Sequence, residues 1–153
     1  MSLAVFLQPL AWTLLAICAG VSVVVQQALN AELRLSVNSA LWAAFASYLV
    51  GALTIAVALL AMREASPSAA AIRDSSPWSW IGGVFGTVYI VASILAMPRL
   101  GAATVVALLV AGQMLGSIAF DHFGLFGLTP QRADLTRLAG AALLIAGVVL
   151  IRL

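Results

Sequence analysis

The chain has 153 residues, of which 64% are hydrophobic and only 8% charged, with a net charge of +2 and a mean hydropathy of +1.16. Soluble domains run near ~45–50% apolar and ~25% charged, so the composition excludes a soluble fold and points to an integral membrane protein of one domain. The seven basic residues are all arginine and form no cluster, so nothing in the charge pattern points to nucleic acid as a partner.

A spanning helix needs roughly 20 mainly apolar residues. Five stretches meet that condition and predict an all-α membrane protein with helices at about 9–33, 39–62, 77–97, 102–120 and 130–151. The N-terminus is apolar without a basic leader region and reads as a retained helix rather than a signal peptide. Pro9 suits the start of the first helix. Steps of three and four residues then place Ala16, Gly20, Val23, Gln27, Asn30 and Arg34 on one face. That face is small at one end and rich in amides and charge at the other. An amide at membrane depth has no water to bond, so it should face protein or a wet cavity. Trp12 lies one turn before this line. Glu32 beside Arg34 reads as an interfacial ion pair, and the lone Cys18 as a small hydrophobe.

The second helix carries Ala43, Ser47 and Gly51 at four-residue spacing, with Tyr48 beside them. In the polar loop from Arg63 to Ser76, Ser66-Pro67 reads as the cap of a short surface helix. Ser76-Pro77 starts the third span, whose line runs Gly82, Gly86, Tyr89, Ser93. Pro98 and Gly101 shape a tight turn into the fourth span. That span offers Gly112 and Gly116 for packing and a separate polar line of Gln113, Ser117 and Asp121. Asp121 to Thr129 reads as an amphipathic interfacial segment. Thr129-Pro130 opens the fifth span, which has no polar side chain between Leu138 and Ile151 and so suits bracing a dimer.

Lines of small residues let helix backbones approach closely in lipid. Gly20, Gly82, Gly86, Gly112 and Gly116, with Pro98 and Gly101, are therefore packing or hinge positions. Gln27, Asn30, Tyr89 and Gln113, with Trp12 and Ser47, are the candidates for substrate contact, because three amides exceed what helix association needs. No catalytic set is expected: His122 directly follows Asp121, which is poor geometry for an orienting carboxylate, and no nucleophile elbow is present. No metal-ligand spacing, phosphate loop or dinucleotide fingerprint appears, so no cofactor is expected. With five spans the arginines divide four against three between the two sides. Such weak bias allows both orientations and makes an antiparallel homodimer natural.

The stretches AGVSVVVQQALN, WIGGVFGTVYI, MPRLGAA and VAGQMLGSIAFDHFG resemble the YdcZ-type five-helix branch of the drug/metabolite transporter superfamily. The resemblance covers essentially the whole chain. It implies a multi-pass protein of the bacterial inner membrane that exports small molecules, as half of a ten-helix unit formed by an antiparallel pair of copies or with a close paralogue. A more distant similarity is to small multidrug resistance proteins, which carry a membrane-embedded glutamate in the first helix. This chain has Gln26 and Gln27 in the comparable region, which argues against proton-coupled cation export. The alternative is a non-transporting scaffold whose amides only join helices.

Overall fold

The computed structural model describes residues 3–152. Six α-helices account for most of them: α1 (Leu3–Val37), α2 (Ala40–Met62), α3 (Ala69–Asp74), α4 (Gly82–Leu100), α5 (Ala102–Phe123) and α6 (Leu135–Arg152). By length and composition, four stretches can cross a membrane: Gln8–Val37, Ala40–Met62, Pro77–Leu100 and Ala102–Phe123. The last apolar helix, Leu135–Ile151, is shorter.

Several expected boundaries move, each for a local reason. α1 runs on at both ends of the expected 9–33, so Pro9 lies inside it rather than at its start. The apolar residues before Pro9 are good helix formers and outweigh the start signal. Glu32 and Arg34 do not pair, because residues two apart on a helix point in different directions. Among the described residues the ion pairs are Arg73–Asp74 and Arg137–Asp121. α2 begins where expected, with the Ser39 hydroxyl accepting from the Trp42 N–H. The short surface helix is capped by Ser68, not by Ser66-Pro67: the Ser68 hydroxyl accepts from the Ala71 N–H. Pro77–Ile81 forms a 3₁₀ turn before α4.

Pro98 sits inside the last turn of α4, so the turn itself falls to Gly101 alone. Gly101 has φ +80, a left-handed value that a side chain disfavours. The final helix starts at Leu135, five residues later than Pro130. The Asp134 carboxylate accepts from the Arg137 N–H there, and a cap of this kind is a stronger start than Thr-Pro.

The chain forms two compact units, one ending at Pro98 and the other beginning at Arg99. In the first, Ala43 and Ala44 of α2 pack on Ile90 and Ile94 of α4, with Leu33 of α1 against them. In the second, α5 packs on α6, and Val105, Ala111, Ala141 and Val148 are buried.

Candidate functional site

The first unit gathers polar groups around α1. Gln27 is 2% exposed and Asn30 5% exposed, so both amides are withdrawn from the surface. They are three residues apart and therefore share a face. Gln27 Nε2 donates to the Tyr89 hydroxyl of α4 at 2.5 Å. One helix turn further, the buried Ser93 hydroxyl donates to the Tyr89 carbonyl at 2.8 Å. Two buried atoms in this cluster have no hydrogen-bond partner among the described residues: Gln27 Oε1, an acceptor, and Asn30 Nδ2, a donor.

A second polar line lies beside the first. Gln26 Nε2 donates to the Ser47 hydroxyl of α2 at 3.3 Å. Between α1 and α2 runs an open groove of about 540 Å³. Ser22, Gln26 and Asn30 line it from one helix, Ser47, Val50 and Gly51 from the other, and no lining residue is charged. Tyr48 turns from this groove towards α4. A Cβ on Gly86 would stand 2.7 Å from the Tyr48 hydroxyl, so Gly86 is what lets that side chain lie on the α4 backbone.

The candidate residues are therefore not one cluster. Gln27 bonds Tyr89 and shares its helix face with Asn30, and Ser47 joins Gln26 and Asn30 on the groove. Trp12 is about 22 Å along the same helix from Gln27, at 1.5 Å per residue, and is 65% exposed. Gln113 is exposed on α5, with no hydrogen bond to another described residue. Gly20, Gly82, Gly112 and Gly116 have no atom of the described residues outside their own helix backbone and chain neighbours within 4 Å of where a Cβ would stand, so there is open space over each.

The second unit holds a different set. Asp121, in the last turn of α5, meets Arg137, in the first turn of α6, at 3.0 Å, with both side chains about one-third exposed. Arg137 also donates to the Gln131 side-chain carbonyl. His122 does not orient on Asp121; its Nδ1 accepts from the Ala133 N–H at 3.1 Å. Among the described residues no group of three or more His, Cys, Asp or Glu could hold a metal ion.

A family model described as "Putative inner membrane exporter, YdcZ" matches residues 11–150. The chain belongs to this family. It is also 33% identical over 132 residues to the inner membrane protein YdcZ of Escherichia coli (strain K12), a match covering 86% of this chain and 87% of that protein. No solved structure matches. Membership of the YdcZ family, with the long apolar helices, makes this a multi-pass protein of the bacterial inner membrane.

Within this YdcZ-family chain, sequence reasoning left Gln26 out of the substrate set. The signal was available, since Gln26 precedes Asn30 by four residues and so shares its face. The Asp121–Arg137 pair carried no such signal. It joins two helices across a loop whose path periodicity does not reveal.

Proposed function

We propose that this protein exports a small metabolite or drug by alternating access, as an antiparallel homodimer with five crossings in each copy. The observation that carries the reading is the pair of orphaned amide atoms, Gln27 Oε1 and Asn30 Nδ2. In a lipid setting an unsatisfied polar group costs several kcal/mol. A solute that accepts from one amide and donates to the other relieves that cost while it is bound. Tyr89 orients Gln27 from α4, so the cluster couples two helices to occupancy. The open glycines at 20, 82, 112 and 116 support the dimer, because small residues with open space over them suit close approach by another copy. The short α6, apolar from Leu138 to Ile151, suits the same bracing role.

The test uses protein reconstituted in liposomes loaded with a mixed pool of small metabolites, with solute loss followed by mass spectrometry. Wild type should release a subset of solutes, and Gln27→Leu should lose that release while keeping its folded yield. If Gln27→Leu instead lowers thermal stability while release per folded dimer persists, the amides only join helices.

One observation favours that second reading, a scaffold without transport. The bonds Gln27–Tyr89 and Gln26–Ser47 each tie α1 to a neighbouring helix. Such bonds contribute about 0.6 kcal/mol on average in membranes. They account for one hydrogen-bonding atom of each glutamine and leave Asn30 unexplained.

A further inference from the structure

We infer that the groove between α1 and α2 is a subsite for an uncharged solute carrying a carbonyl-type oxygen on an apolar body. The inference rests on the transport reading for its purpose and on separate observations for its chemistry. Asn30 borders the groove, is nineteen-twentieths buried, and has a donor nitrogen with no partner. The Ser47 hydroxyl already accepts from Gln26, and a hydroxyl that accepts still has its own proton to give. The groove therefore has one donor at its surface, on Ser47. A second lies in its wall, the Asn30 nitrogen, which is covered in this structure and must turn outward to be reached. A ligand oxygen with two lone pairs matches the pair.

Charge decides the class. No side chain lining the groove is ionisable. A carboxylate or phosphate would lose its hydration with no cation to meet it, and an ammonium would find no acid. Burying an isolated charge is far costlier than burying a paired neutral group. Apart from the neutral Ser22 and Gln26, the rest of the wall, including Val25, Leu29 and Val50, is apolar. At about 540 Å³ the groove lies within the ~300–1,000 Å³ of ordinary small-molecule sites. A neutral head on Asn30 and Ser47 with an apolar tail along the valines and leucines matches the polar and apolar parts of this wall.

Three probes of nearly equal shape test this: 4-phenylbutanamide, 4-phenylbutanoate and 4-phenylbutylammonium. Each is radiolabelled and its equilibrium binding measured on the full chain in nanodiscs, with empty nanodiscs subtracted. The amide should bind, and both charged probes should bind more than about tenfold more weakly. Asn30→Leu should weaken the amide by roughly 5- to 150-fold, as expected for a ligand oxygen left unpaired. Gly51→Leu fills the groove from α2 and leaves the Asn30 side chain in place, has open space at its Cβ, and should abolish binding. Folded yield is measured on every variant, and Gly51→Leu decides the matter if Asn30→Leu does not fold. The inference is overturned if wild type binds no amide, if either charged probe binds as tightly, or if amide binding survives the groove-filling change. Liposomes separate this from the transport reading. Solute release without amide binding rejects the groove and keeps transport, whereas amide binding without release of any solute rejects transport and keeps the groove.

Discussion

The two units of this chain treat polar groups in opposite ways. The first holds uncharged amides and hydroxyls away from the ends of long helices, buried, with two atoms left unpaired. The second holds charged groups at helix ends, about one-third exposed and paired. The contrast follows from solvation. A charge at bilayer depth is expensive, so it belongs near an end where water and headgroups reach it. A neutral amide can be kept at depth at lower cost, and an unpaired one is available to a ligand. The ion pair also opposes both helix dipoles. Asp121 sits at the negative end of α5 and Arg137 at the positive end of α6. Each charge is unfavourable for its own helix, so the attraction between them offsets that cost, beside the His122–Ala133 and Arg137–Gln131 bonds at the same corner.

The largest expected effect sets one unit against the other through its amides. Asn30→Leu should lower apparent substrate affinity roughly 5- to 150-fold, since a buried partner is lost. Gln113→Leu should change it by about twofold or less, because an exposed amide has not been stripped of its surroundings. Dose–response curves for solute release from liposomes measure both. Equal losses would break the comparison and give the second unit a share of the site.

Next in size is the ion pair. Asp121→Ala should destabilise the fold by about 1–3 kcal/mol, between the values for exposed and buried pairs, without altering affinity. The double exchange Asp121→Arg with Arg137→Asp should recover that stability and add about 0.3–1 kcal/mol per charge, because each charge then suits its helix end. Thermal unfolding in detergent reads both. An exchange less stable than the single variant would mean that the surroundings, with Gln131 foremost, depend on the native polarity.

Within the first unit, Gly86→Ala should cost about 1 kcal/mol, the low end for overpacking, because the atom in the way ends a flexible side chain. Tyr48→Phe in the same chain removes the hydroxyl and should return most of the loss. An undiminished loss in the double variant would place the strain in the α4 backbone. The smallest effect is expected from Gln26→Ala, about 0.6 kcal/mol, the average for a hydrogen bond between membrane helices. A loss several times larger would show that the groove wall depends on this bond.

Much of this was legible in the residues themselves. The apolar runs mark helices because a membrane demands internally satisfied backbone over about 20 residues. The step of three and four residues put Gln27 and Asn30 on one face before any partner was known. Gly86 to Tyr89 to Ser93 was readable as one line of α4 for the same reason. Capping chemistry fixed the start of α2 at Ser39, where a single local bond decides the matter.

What the sequence alone could not decide is which faces meet. Periodicity says that a polar face exists but not which helix it turns towards, since that depends on contacts distant in the chain. Only the tertiary structure gave Gln27 to Tyr89 and Gln26 to Ser47, although the two glutamines are neighbours. It set Trp12 well apart from the amides it was grouped with, because one long helix separates residues along its axis even when they share a face. It also paired Asp121 with Arg137 rather than with the adjacent His122, through a loop whose path brings residues 16 apart within 3.0 Å. A helix fixes neighbours by local hydrogen bonds, but the choice between two possible partners rests on packing summed over the whole unit.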